Sequence, residues 1–355
     1  MQSLLVDFTR KLTATLIATI ATFAVVALSE PTARAQTCQE SGEARVWFMN
    51  GTALDHQAAI TPTPDPGWAL VGVGDFNGDG KPDLVWQREN NQGEARVWFM
   101  NGTALDHQAA ITPNPDQPDA ANGNLGWRIQ SVGDFNGDGK PDIVWRRADN
   151  SGEARIWFMN GTALDHQAAI TPNPDPGWRV QGIGDFNGDG KPDLVWRRTN
   201  ETLEARVWFL NGTALDHQAA ITPGPDLGPW LIEGIGDLNA DGKADLVWRR
   251  ANNTGEARIW FMNGTALDHQ AAITPNPDPG PWQVVGVGDF NGDGKADFVW
   301  RRRSCTSAQL DDSSSGCYFA STSCYGVVEV CHYVCNLHPE NNSSSICGAC
   351  IGLHF

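Results

Sequence analysis

A thirteen-residue string, NGTALDHQAAITP, occurs five times in this chain of 355 residues, starting at Asn50, Asn101, Asn160, Asn211 and Asn263. A second string, close to GDFNGDGKPDLVWR, alternates with it from Gly74, Gly133, Gly184, Gly236 and Gly288. The period is 51 to 52 residues, and one interval is longer because Gln117 to Asn124 inserts a Pro/Asp/Asn/Gly-rich loop. Units of this size suit propeller blades rather than helical repeats, and no segment shows a sustained 3.6-residue apolar pattern.

Each unit reads as four short strands: Trp68 to Gly74, Asp83 to Arg88, Glu94 to Met100 and Ala104 to Ile111. Val, Ile, Leu, Trp and Phe fill them, while Asn, Gly, Asp and Pro fill the connections. Asn101-Gly102 and its four copies lie between third and fourth strands and predict a type I′ hairpin, with positive φ at both residues. The strands are apolar on both faces near the unit centre, as a sheet sandwiched between neighbouring sheets must be. Chain order then fixes closure. The first strands, Glu43 to Ile60, are a third-and-fourth pair, and the last, Trp282 to Arg302, are a first-and-second pair. Joined, they complete one blade, giving an all-β, five-bladed β-propeller closed by strands from both termini with no exposed sheet edge. The fifteen tryptophans fall three to a unit in this register.

The loop between first and second strands reads Asp75, Asn77, Asp79, Lys81 and Asp83 at positions 1, 3, 5, 7 and 9, with Gly80 at position 6. Hard oxygen ligands at 1, 3, 5 and 9, with the backbone carbonyl at 7, can wrap one Ca²⁺, and glycine at 6 permits the sharp turn. The same set recurs at Asp134, Asn136, Asp138, Lys140 and Asp142, and at Asp185, Asn187, Asp189, Lys191 and Asp193. It recurs again at Asp237, Asn239, Asp241, Lys243 and Asp245, and at Asp289, Asn291, Asp293, Lys295 and Asp297. An Asp/Asn/Gly turn needs no metal. Three carboxylates within nine residues nevertheless repel one another unless a cation neutralises them, so up to five Ca²⁺ are expected, and folding should be coupled to their uptake.

These loops carry a family resemblance. Val71-Gly72-Val73-Gly74-Asp75, followed by the Asp/Asn loop and Leu84-Val85-Trp86, resembles the FG-GAP/VCBS repeats of integrin α-subunit propellers and many secreted bacterial proteins, over roughly residues 43 to 302. The resemblance implies a propeller with Ca²⁺ between first and second strands. Ala240 at loop position 4, and Ala244 and Ala296 at position 8, depart from the pattern without touching a ligand position.

The ends differ from the repeats. Arg10 and Lys11 precede an apolar run from Leu12 to Leu28 and then Ala33-Arg34-Ala35, the layout of a signal peptide cleaved before Gln36. A retained anchor is the alternative, because seventeen residues is at the short end of a spanning helix. Cleavage would remove two acids and three bases, taking the formal charge from −17 to −18. The expected organisation is a signal peptide at 1–35, a propeller at 36–303 and a separate module at 304–355. That last segment holds all three tyrosines and seven of the eight cysteines. An exported chain permits disulfides, and Cys38 and Cys305, which flank the gap in the closing blade, are expected to staple the termini. A zinc reading of Cys347 and Cys350 with Cys331, Cys335, His332 or His338 is weaker, since only one C-x-x-C occurs.

The acidic balance argues against a nucleic-acid partner. Past the N-terminus no apolar run is long enough to span a bilayer. Asp55-His56 and its copies lack a recurring nucleophile, so they read as a polar outer edge rather than a catalytic pair. Most tryptophans should be core, although some could stack on sugar rings. Enzymes need one asymmetric constellation, whereas nearly every polar residue here recurs five times. The expectation is therefore a secreted (or periplasmic) calcium-binding module, not an enzyme, that engages glycans or cell-surface and matrix macromolecules multivalently, its ligand-contacting residues unassigned. The alternatives are a polysaccharide lyase or hydrolase on the same scaffold and a purely structural extracellular protein.

Overall fold

The structure, a computed structural model, describes residues 38–89, 93–115, 126–148, 151–175, 177–198, 204–224, 230–250, 255–277, 282–305, 317–325, 328–336 and 344–353, with backbone alone for 38–41 and from 303 onward. The chain divides into two units, Met1–Gln36 and Thr37–Phe355. The first unit, and with it the expected signal peptide, lies outside the described residues.

Twenty strands build five four-stranded antiparallel sheets. Blade 1 comprises β3 (Trp68–Gly74), β4 (Asp83–Arg88), β5 (Ala95–Asn101) and β6 (Ala104–Ala110). Blade 2 comprises β7 (Trp127–Gly133), β8 (Asp142–Arg147), β9 (Ala154–Asn160) and β10 (Ala163–Ala169). Blade 3 is β11 (Trp178–Gly184), β12 (Asp193–Arg198), β13 (Ala205–Asn211) and β14 (Ala214–Ala220). Blade 4 is β15 (Trp230–Gly236), β16 (Asp245–Arg250), β17 (Ala257–Asn263) and β18 (Ala266–Ala272). Blade 5 takes β19 (Trp282–Gly288) and β20 (Asp297–Cys305) from one end of the repeats, and β1 (Cys38–Asn50) and β2 (Ala53–Ala59) from the other, in the order β19-β20-β1-β2. The expected closure is therefore present. Its register sets Cys38 opposite Cys305 along the backbone.

The first strands pack on one another in a ring, β3 on β7, then β11, β15, β19 and back to β3, which puts them at the axis. A second ring runs at the rim. Thr61 N donates to Thr103 O (2.9 Å) and Leu105 N to Thr61 O (2.7 Å), and the pattern repeats until Thr274 N reaches Thr52 O (2.9 Å) and Leu54 N reaches Thr274 O (2.7 Å). Each blade is thus bridged to the start of the next blade's outer strand at one residue, and the bridges run around the whole circle.

The apolar cores lie between blades. One joins Val85, Val97 and Phe99 of blade 1 to Ile129, Trp145 and Trp157 of blade 2, and four equivalent clusters fill the other interfaces. This explains why the central strands are apolar on both faces: Val46 and Phe48 enter one interface while Trp47 and Met49 enter the other. Thirteen of the fifteen tryptophans are buried, leaving Trp68 and Trp208 half-buried. Burial of such a side chain contributes roughly 1.5–3 kcal/mol. Close approach at the axis also depends on missing side chains. A Cβ on Gly72 would stand 2.3 Å from Val132 Cγ2 and 2.9 Å from Val132 Cβ. Gly72→Ala is therefore expected to destabilise the protein by about 1–3 kcal/mol through overpacking, read as a lower urea midpoint at unchanged m-value.

The hairpins correct one expectation. Asn50 pairs with Ala53, so the two turn residues are Gly51 and Thr52, and positive φ occurs at Gly51 (64°) and its copies but at none of the asparagines. That is the pattern of a type II′ turn, not type I′. A β-branched threonine at the second turn position resists positive φ, whereas type II′ demands it only of the glycine.

In the C-terminal segment the described backbone is a three-stranded antiparallel sheet, β21 (Cys317–Tyr325), β22 (Val328–Asn336) and β23 (Ser344–Leu353). Its register sets Cys317 opposite Cys335 and Cys331 opposite Cys350. The side chains of the expected disulfides and of the zinc alternative lie outside the described residues. Among the described residues no helix is long and apolar enough to cross a membrane.

Candidate metal loops

All five Asp/Asn loops adopt one conformation at the same end of their blades. In blade 1 the Asp75 carboxylate organises the turn: Oδ1 accepts from Gly78 N (2.7 Å) and Asp79 N (3.2 Å), and Oδ2 from Gly80 N (2.7 Å). Asn77 Oδ1 accepts from Asp79 N (2.9 Å), and Asp79 Oδ1 from Lys81 N (2.9 Å). Positive φ at Gly78 (74°) and Gly80 (79°) allows this winding. Phe76, 5% exposed, anchors the loop in the core between blades 1 and 2.

The position-9 aspartate has a role that spacing did not reveal. Asp83 is fully buried; its Oδ2 accepts from Phe76 N (2.9 Å) and its Oδ1 from Met100 N (2.9 Å) on β5. It staples the loop to the sheet, as Asp142, Asp193, Asp245 and Asp297 do in their blades. Burial, with added repulsion from Asp75 and Asp79, pushes its carboxyl up to about 6 against the pull of the two backbone hydrogen bonds, and the same holds in the other four blades. A carboxyl raised by folding stabilises below its unfolded value near 3.8, and that contribution is lost as pH rises through about 6. Calcium-depleted protein is accordingly expected to have a higher urea midpoint at pH 5 than at pH 7, and equal midpoints would contradict the assignment.

The position-7 lysines contribute no side-chain ligand. Lys81 Nζ donates to Asn101 Oδ1 (2.8 Å), tying the loop to the neighbouring hairpin, and Lys140, Lys191, Lys243 and Lys295 bind Asn160, Asn211, Asn263 and Asn50 in the same way. Only their carbonyls remain as donors to a metal. Among the described residues no group of three or more His, Cys, Asp or Glu side chains is placed to hold a metal ion. What fits Ca²⁺ is the donor chemistry: two carboxylates and an amide on an open loop beside a buried carboxyl that feels their charge.

Blade 4 departs at loop position 4. Ala240 has φ of 62°, the only non-glycine residue with positive φ among those described, where the other blades carry glycine. A left-handed alanine costs about 1–2 kcal/mol, partly offset by glycine's greater freedom when unfolded. Ala240→Gly should raise stability by about 0.5–1 kcal/mol, visible as a melting temperature higher by roughly 2 °C.

The outer strands are exposed at most positions. His56 Nδ1 lies 2.8 Å from Asp55 Oδ2, and the imidazole stacks on Phe48 at 4.3 Å, an arrangement repeated in every blade. Asp55 is the extra residue of a bulge in the outer strand, between His56, paired with Phe48, and Leu54, paired with Met49, which agrees with a polar edge. On blade 1, a cleft of about 490 Å³ is lined by Trp68, Glu94, Arg96, Gln108, Thr112 and Asn114 among others. The Arg96 guanidinium lies 4.0 Å over the Trp68 ring, and Trp98 Nε1 donates to Gln108 Oε1 (3.0 Å). Trp68 is half-buried, whereas its four counterparts Trp127, Trp178, Trp230 and Trp282 are buried.

The expectation that nearly every polar residue recurs five times fails at the axis. First-strand positions read Ala69 and Val71, Arg128 and Gln130, Arg179 and Gln181, Leu231 and Glu233, and Gln283 and Val285 in blades 1 to 5. Variation among otherwise near-identical copies was the signal that sequence reasoning passed over.

Comparison with known families matches the FG-GAP-like repeat over residues 134–196 and 237–300, and the FG-GAP repeat over residues 67–99. No curated protein matches the chain. Among solved structures, the chain is similar to the Dos1 propeller at 10% identity, covering 73% of each chain, with a TM-score of 0.34.

Proposed function

Since the chain is built of FG-GAP and FG-GAP-like repeats closed into a five-bladed propeller, we propose that it is a secreted, calcium-binding, non-enzymatic module that recognises carbohydrate on cell-surface or matrix macromolecules. Each Asp/Asn loop takes one Ca²⁺ through the side chains at positions 1, 3 and 5 and the carbonyl at 7, with the buried position-9 aspartate behind them. The observation that carries the recognition reading is the blade 1 cleft: a half-exposed indole stacked by the Arg96 guanidinium, with Gln108 beside it, lines the cleft with an aromatic edge and planar polar groups, the chemistry that sugar hydroxyls and ring faces use. The repeated polar outer strands support multivalent contact. Export, read from the N-terminal segment, also makes disulfides permissible, and the backbone register of Cys38 with Cys305 supports a bond that staples the closing blade.

Glycan-array binding by wild type and Trp68→Ala, each with and without chelator, tests the reading. Loss of a defined sugar signal in the variant supports it. Shortening of a polysaccharide would instead establish an enzyme, and no sugar signal at all would favour a structural role.

A further inference from the structure

The end of the propeller opposite the metal loops carries buried positive charge that neither the metal nor the glycan reading uses. Where β7 pairs with β8, Arg128 stands opposite Arg146, and in the next blade Arg179 stands opposite Arg197. These positions are one residue from the Trp127–Arg147 and Trp178–Arg198 ends of the strand pairs, remote from the loops that join Gly133 to Asp142 and Gly184 to Asp193. Arg146 is 3% exposed and Arg197 is 5% exposed. Each reaches across to the following blade, its guanidinium 5.8 Å from the Trp196 ring centre and 5.7 Å from that of Trp248 respectively.

Nε and Nη1 of Arg146, and Nε and Nη2 of Arg197, are buried without a hydrogen-bond acceptor. Blades 1 and 4 supply partners at this position. Gln87 of blade 1 donates to Trp127 O (2.9 Å) and accepts from Ile129 N (2.9 Å), and Arg249 of blade 4 lies 3.7 Å from Glu233. Blades 2 and 3 instead put Gln130 and Gln181 where blade 4 has Glu233. The positive groups also press on one another. Burial and the Arg179 charge hold Arg146 down to about 10, with Asp175 the opposing carboxylate, and Arg128 is lowered by burial and Arg179 against Glu89. A buried guanidinium short of acceptors is costly, and an oxyanion supplies both the acceptors and the missing charge.

We propose that the axial mouth of the interface between blades 2 and 3 binds one oxyanion of the sulfate or phosphate class, held by Arg146 and flanked by Arg128 and Arg179. The ion is either free or an ester group on a larger ligand. The assignment stands independently of calcium and of the Trp68 cleft.

The test is isothermal titration of the full calcium-loaded chain with sodium sulfate at constant ionic strength, alongside sodium acetate and a sulfated disaccharide. One saturable sulfate per chain is expected, with acetate at least tenfold weaker. Arg146→Gln, which installs the residue that blade 1 already carries as Gln87, should weaken sulfate at least tenfold. Arg198→Gln, on an exposed ion pair with Glu204, should not. If Arg146→Gln disturbs folding, Arg179→Leu, the side chain blade 4 carries as Leu231, replaces it and should weaken sulfate at least threefold. Either ranking of disaccharide and free sulfate supports the site and sorts the source of the anion. Absence of saturable sulfate binding, or wild-type affinity in the folded variants, overturns it.

Discussion

Removing divalent ions from the purified protein lowers its melting temperature by about 20 °C or more, and added Ca²⁺ restores it while Mg²⁺ at the same concentration does not. A ligand present at 100 times its dissociation constant stabilises the folded state by about 2.7 kcal/mol per site, so five loops together supply roughly 13 kcal/mol. For a chain of this size each kcal/mol is worth about 2–4 °C. The origin is electrostatic. Burial raises the position-9 carboxyl and repulsion from the loop carboxylates adds to it, and a bound divalent ion would remove the repulsive part in all five blades. Calorimetry with and without EGTA checks the prediction. Superimposable melting curves would remove calcium from the account and leave the loops as hydrogen-bonded turns.

Asp142→Ala should cost about 2–6 kcal/mol, because Phe135 N and Met159 N, both buried, each lose an acceptor at 2.9 Å and an orphaned buried donor costs about 1–3 kcal/mol. Asp142→Asn keeps one acceptor oxygen, so roughly half that loss is expected, without the charge. Urea unfolding in chelator at pH 5, below the raised carboxyl value of about 6, separates the hydrogen-bonded staple from the metal and from most of the carboxyl charge. Metal analysis of the same variants then reports ligation: four Ca²⁺ per chain instead of five assigns the position-9 carboxylate to the metal as well. Equal stability of Asp142→Ala and wild type in chelator would refute the staple.

Much of the architecture was legible because it is local. Strands announce themselves through β-branched and aromatic runs, and the loops through Asp, Asn and Gly at fixed spacing; the unpaired strand sets at the two ends forced a shared blade. Reading failed where local chemistry admits two answers. An Asn-Gly pair suggests type I′, but the register that puts Gly51 and Thr52 in the turn is decided by how the flanking strands pair, bulge included. The position-9 aspartate, the third carboxylate of the pattern, reads from spacing as a metal ligand, and its hydrogen bonds to the loop and to β5, which brings Met100 N to Asp83, become visible only in the fold.

The order of the strands, the number of blades and the positions of the Asp/Asn loops were therefore determined by the sequence alone, since each follows from side-chain pattern over a few residues and from counting copies. Tertiary structure decided which faces became interfaces, which aspartate turned inward, and that arginines from successive repeats, about 50 residues apart in the chain, gather near one end of one axis. Closing a linear repeat into a ring brings every first strand to the centre, and proximity created by closure has no counterpart in linear spacing.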